Sequence, residues 1–105
     1  MNIFFLGDEG TILRCALTSS DGTPFPLQSA TSIILILVKP SGAADFHAMA
    51  LTTDGSDGLA QYVTQPGDID QAGHWLMQAH ADTPSWSGYF GSGEFYVRDP
   101  LAPVL

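Results

Sequence analysis

The sequence predicts an all-β fold, a sandwich of six to eight short antiparallel strands formed as one domain by residues 1–105. Three observations lead there. Eleven glycines and seven prolines punctuate the chain at short intervals. The stretches between them are rich in β-branched and aromatic residues, with large and small or polar side chains alternating. No stretch carries the 3.6-residue apolar period of an amphipathic helix three or four turns long. A small barrel is the structural alternative. A chain of 105 residues buries about 60–70% of its unfolded surface, enough for one modest core.

The elements follow from the turns. The opening MNIFFLGDEG reads as an apolar arm over residues 1–8, or as a first strand, ahead of a turn. A strand over Arg14–Ser19 continues from Thr11, and Ser20-Asp21-Gly22-Thr23 turns the chain. Pro24 and Pro26 stiffen an edge-like connection. Ser32–Lys39 is the strongest strand, and Pro40-Ser41-Gly42 ends it. Phe46–Thr53 is predicted as one strand, followed by the tight turn TDGSDG and a strand over Leu59–Gln65. Pro66–Gly73 is a longer turn with one helical turn around Asp68-Ile69-Asp70. His74–Ala81 is the next strand. Residues 82–92 read as a polar, tryptophan-containing loop or an extra short strand. Gly93–Arg98 closes the sheet, and the prolines at 100 and 103 end it.

Alternation assigns the faces. Leu13, Cys15 and Leu17, then Trp75, Met77, Ala79 and Ala81, then Phe95 and Val97 form the expected core. His74, Leu76, Gln78 and His80 share the opposite face of their strand, as do Glu94, Tyr96 and Arg98 of theirs. The strand 32–39 departs from this rule. With Ile33, Leu35 and Leu37 inward, Ile34, Ile36 and Val38 point out, where a small antiparallel sandwich normally shows polar residues. Either a loop or the N-terminal arm covers this row, or another subunit does. The arm is itself apolar at Ile3, Phe4 and Phe5, so its exchange between neighbours would satisfy both surfaces. These six residues, with Trp86, Tyr89 and Phe90, are the candidate protein interface.

Composition narrows the function. Eleven acidic residues against three basic ones give a formal charge of -8, which repels nucleic acid and anionic membrane surfaces. The apolar run Ile33–Val38 is far too short to span a bilayer, and the N-terminus lacks the pattern of a signal peptide. The one cysteine, Cys15, lies in the apolar run TILRCAL and reads as a buried thiol. There is no phosphate-binding loop, nucleophile elbow or HExxH motif. His74 and His80 sit six residues apart, roughly 20 Å along a strand, and cannot share a metal. Asp54, Asp57, Asp68 and Asp70 lack the ligand spacing of a calcium loop and suit ordinary turns. We therefore expect no enzyme, no catalytic or metal site and no cofactor. Trp86, Tyr89 and Phe90 could form a platform for sugar rings, which keeps a carbohydrate-binding or host-recognition module as the alternative to assembly.

Four stretches carry a family resemblance: LGDEGTILRCALTSSDGTPFPLQSAT, SIILILVKPSG, TTDGSDGLAQYVTQPGDIDQAGHWLMQAHADTPSWSGYFGSG and EFYVRDP. In order they present an Asp-Gly turn, a Pro-Leu-x-x-Ala-Thr connection and a strand ending Lys39-Pro-x-Gly42. Asp57-Gly58, the aromatic strand of Tyr62, and Gly67-Asp68 with Gly73 complete the pattern. The chain thus resembles the small immunoglobulin-like domains of tailed-bacteriophage and prophage structural proteins, similar to the N-terminal domain of the baseplate upper protein. The outer face of strand 32–39 is more apolar than that family's usual member. The resemblance implies an immunoglobulin-like sandwich and a non-enzymatic virion role. The domain would be a tail or baseplate adaptor, made in the host cytoplasm, that anchors a fibre or tailspike in a homo- or hetero-oligomeric assembly. Capsid decoration is a further use of the same fold.

Overall fold

The alternation in the sequence becomes two sheets in the computed structural model, which describes residues 2–7, 9–19, 21–84 and 86–99. Eight strands follow in order: β1 (Asn2–Phe5), β2 (Ile12–Ala16), β3 (Ser32–Val38), β4 (Ala44–Ala48), β5 (Ala50–Leu51), β6 (Leu59–Val63), β7 (Gly73–Thr83) and β8 (Trp86–Arg98). One sheet has the order β1-β8-β7-β3-β4 and the other β2-β6-β5. The protein is an all-β sandwich, and no described residue is helical. The expected helical turn around Asp68-Ile69-Asp70 is instead a non-helical turn. There the Asp68 carboxylate accepts from the Gln65 N–H at 2.7 Å, and buried Ile69 plugs the core.

Every expected core residue named above except Met77 is buried between the sheets, and Met77 is half-buried against them. Leu27, Ala60 and Ile69 close the core from the loops and β6. At one end Phe4, Phe95 and Trp75 form a row of rings, with centroid spacings of 5.0 and 5.5 Å. The Trp75 indole N–H donates to the Gln71 carbonyl at 2.9 Å, so the largest core side chain buries no unpaired polar atom.

Four expectations are corrected. The pairing is not wholly antiparallel, because β1 runs parallel to β8, with Asn2 opposite Phe95 and Phe5 opposite Arg98. Its partner comes from the far end of the chain, a pairing no local pattern encodes. The segment 82–92, expected as a loop or an extra short strand, is divided between two long strands, because β7 runs to Thr83 and β8 starts at Trp86, and Thr83 pairs with Trp86 in one hairpin. Neither strand is short, at 11 and 13 residues. The strand expected over Phe46–Thr53 divides at Met49, whose N–H bonds to the Ile33 carbonyl at 2.8 Å. Before that point the chain belongs to the five-stranded sheet, and after it to the three-stranded one, as happens at sandwich corners. Of the arm, residues 1 and 8 lie outside the described residues, as do Ser20 and the prolines at 100 and 103.

Short aspartate turns hold the loops. Thr23 donates hydroxyl and N–H to Asp21, and Ser56 does the same to Asp54. Asp57 accepts from the Leu59 N–H and from the hydroxyls of Thr53 and Thr52. Asp82 accepts from Ser87 and Ser32. These hydrogen bonds hold all four carboxyls below the usual 3.8. A carboxyl depressed by folding adds stability above its unfolded value, and that stability is lost as pH falls through the folded value. Thermal midpoints should therefore be level from neutral pH down to about 5 and fall progressively below about 4. Thermal melts from pH 7 to pH 2 check this, and a midpoint unchanged at the acid end would contradict it.

Candidate protein-binding face

The outer surface of the five-stranded sheet is built by residues of one parity from each strand. On β3 these are Ile34, Ile36 and Val38, all half-buried, while Ile33, Leu35 and Leu37 are buried beneath. Register places Ala48, Phe46 and Ala44 of β4 directly opposite them. On the other side lie His80, Gln78 and Leu76 of β7. Beyond β7 come Tyr89 and Tyr96 of β8, and then Ile3 and Phe5 at the edge. Phe46 is 66% exposed, Tyr89 62% and Leu76 48%, so large apolar side chains face solvent side by side.

Two shallow depressions mark this face. One, of about 220 Å³, lies among Ile34, Ile36, Phe46, His80 and Tyr89. The other, of about 250 Å³, lies over Ile36, Val38, Leu76 and Gln78. The His80 ring meets Tyr89 edge-on at 4.7 Å. Charge is confined to the rims. His74 Nε2 lies 2.9 Å from Glu94 Oε2, and the Arg98 guanidinium stands 6.0 Å from the Tyr96 ring. Between them, the central outward positions of β3, β4 and β7 hold no Asp, Glu, Lys or Arg. A contiguous apolar patch rimmed by polar groups is the usual mark of a contact surface.

The edge of this sheet is guarded differently. Asp45 and His47 of β4 point inward. Lys39, the chain's one lysine, bridges Asp70 at 3.0 Å and Asp45 at 3.2 Å. His47 stacks on Tyr62 at 4.5 Å, and the Tyr62 hydroxyl donates to Asp68. Burial, together with that bond, pushes the Tyr62 hydroxyl up to about 12. Inward charges at an edge strand discourage another strand from adding there, so the face is the more accessible surface.

The interface candidates read from sequence divide. Ile34, Ile36, Val38, Tyr89, Ile3 and Phe5 share the outer face. Phe90 does not, because it is a core residue at 6% exposure. Phe4 turns inward against Phe95, and Trp86 lies half-buried on Phe25 with ring centroids 5.5 Å apart. Trp86, Tyr89 and Phe90 therefore form no row of exposed rings, because Tyr89 points to the opposite side of β8 from the other two. The arm covers none of the β3 row either. β1 lies at the far edge of the sheet, with β8 and β7 between. Phe46 was missed, and only pairing of its strand beside β3 brings it onto this face. Leu76 and Tyr96 had the right parity in the sequence, but the order that sets β7 beside β3 and β8 beyond it was not legible.

Other chemistry is sparse among the described residues. No group of three or more His, Cys, Asp or Glu there could hold a metal ion. Cys15 is buried, and burial pushes its thiol up to about 11. No helix among the described residues is long and apolar enough to cross a membrane. The chain matches no protein-family model, and no curated protein matches it.

Proposed function

We propose that this domain is a non-enzymatic assembly module that binds other protein subunits through the outer face of its five-stranded sheet. The carrying observation is the contiguous patch of Ile34, Ile36, Val38, Phe46, Leu76 and Tyr89, free of charge at its centre. Fully burying an exposed side chain of this size stabilises by about 1.5–3 kcal/mol. The β3 residues are half covered already and contribute less. Together they still rival the about 4–15 kcal/mol lost in freedom on association. The strand order supports an immunoglobulin-like reading. β2-β6-β5 corresponds to the B-E-D strands of that fold and β8-β7-β3 to G-F-C, with β4 added beside C.

With the sequence resemblance, this favours a structural role in a phage virion, as a tail or baseplate adaptor holding a fibre or tailspike. The sugar-platform alternative loses its support, because its three rings are dispersed. The test replaces Ile34 and Ile36 with threonine, which keeps β propensity and removes apolar area. Oligomer formation, followed by sedimentation across a concentration series, should weaken by about tenfold or more. The monomer should stay folded by circular dichroism. A double mutant that assembles normally but unfolds as a monomer would assign this row to internal stability and remove the proposal's basis.

A further inference from the structure

We propose that assembly through the outer sheet face is governed by protonation of His80: two copies of the domain close face to face over its neutral imidazole, and the imidazolium drives them apart. This regulation rests on the outer face being the assembly surface. His80 is the one side chain among the apolar residues of that patch whose type ordinarily changes charge between pH 5 and 8. On β7 it lies between Ile34 of β3 and Tyr89 of β8. Its ring is half-buried, meets Tyr89 edge-on and lines the depression of about 220 Å³ with Ile34, Ile36, Phe46 and Tyr89.

The groups around it supply almost no charge. β3 presents Ser32, Ile34 and Ile36, β4 presents Phe46 and Ala48, and β8 presents Ser87 and Tyr89. Along β7 the same side carries Gln78 and Asp82. Asp82 is the charged neighbour, and its carboxylate accepts from the hydroxyls of Ser87 at 2.6 Å and Ser32 at 3.1 Å. It attracts a protonated His80 through its field. His74 stands six residues back along the strand, paired with Glu94 at the rim.

While the face is open, water and Asp82 together support a proton on His80. A second copy replaces that water with uncharged side chains, for the central outward positions of β3, β4 and β7 hold no Asp, Glu, Lys or Arg. The covered imidazolium then bears its desolvation cost and gains no new counter-charge. A two-fold pair brings two such cations into one interface. The same lack of charge makes a second copy the fitting occupant, because the two centres meet without opposed like charges when His80 is neutral. Histidine ordinarily gains its proton near pH 6.5, so association must expel it and affinity falls as pH drops through about that value. Whole-chain charge acts in the opposite direction. Mild acid reduces the charge of -8, which relieves repulsion between copies and tightens association.

Sedimentation equilibrium of the full chain at pH 7.5 and pH 5.5, at one ionic strength, reads the effect. Dissociation constants should rise by about tenfold to a hundredfold at the lower pH, with circular dichroism unchanged. His80→Gln, which cannot ionise, should lose this ratio, and His74→Gln should keep it. Proton resonances of the His80 ring, followed through pH, should titrate lower in the assembled wild type than in the Ile34→Thr, Ile36→Thr variant. No association at either pH, or association that the double threonine variant leaves intact, removes the outer-face reading and this regulation with it. Association that the double variant abolishes, but that is equal or tighter at pH 5.5, overturns the regulation alone. So does a folded His80→Gln that keeps the wild-type ratio. Should His80→Gln not fold, the ring titration decides, and equal midpoints in the two forms would overturn the proposal.

Discussion

Replacing Trp75 with alanine is expected to remove about 3–5 kcal/mol of stability, much of what a domain of this size holds. Trp75 has no exposed surface, stacks on Phe95 at 5.5 Å and spends its one donor on the Gln71 carbonyl. No neighbour is placed to refill so large a hole: Phe95 is held from its other side by Phe4, and Val97 is short. The midpoint temperature should fall by about 15–30 °C. Trp86 is the internal control. It is half-buried and leans on Phe25 where β8 begins, so its removal should cost about 1–2 kcal/mol. Denaturant unfolding of the two variants, each confirmed monomeric, measures both. A larger loss for the Trp86 variant would reverse the assignment of core and periphery.

That contrast was legible in the sequence because it depends on parity within one strand. Trp75 shares its side with Met77, Ala79 and Ala81, and two-residue periodicity survives any arrangement of neighbours. The β3 row was legible for the same reason. Parity misleads where the strand itself is irregular. Three steps along β8, from Phe90 to Gly93, match two along β7, from Ala79 to Met77, so counting back from Phe95 puts Phe90 on the wrong face. The run Ser87 to Gly93, with three glycines and two serines, suits a loop or at most a short extra strand by its residues, but pairing with β7 overrides that weak preference. Least legible was what depends on distant pairing. The parallel docking of β1 on β8, the switch of sheets at Met49 and the arrival of Phe46 beside Ile36 are fixed by tertiary packing. The candidate face was therefore half visible: its central row could be read from spacing, its flanks only from the sheet order.

Replacing Gly58 with alanine is expected to be as damaging as losing the tryptophan, although it adds a single methyl group. Gly58 has φ +69°, a region that strains any side chain. A Cβ there would also lie 2.4 Å from the Leu17 carbonyl oxygen and 3.0 Å from that of Phe25. Both obstacles are backbone, so no rotamer change relieves them. They are also tied in place: the Leu17 N–H donates to the Gly58 carbonyl at 2.8 Å, and the Phe25 N–H to the Leu17 carbonyl at 2.9 Å. Making room breaks this ladder, which joins the turn before β6 to the chain after β2. Strain and overpacking together should remove about 2–6 kcal/mol. Gly42→Ala separates the two causes. Its φ is +93°, but nothing lies within 4 Å of the added methyl, so it should lose only about 1–2 kcal/mol. The comparison is a pair of urea titrations, with amide exchange at Leu17 and Phe25 as the local readout. Gly58→Ala should speed exchange at both amides, and Gly42→Ala should leave them unchanged. Equal destabilisation by the two would mean that the turn before β6 relaxes freely, and that the ladder does not fix it against the chain after β2.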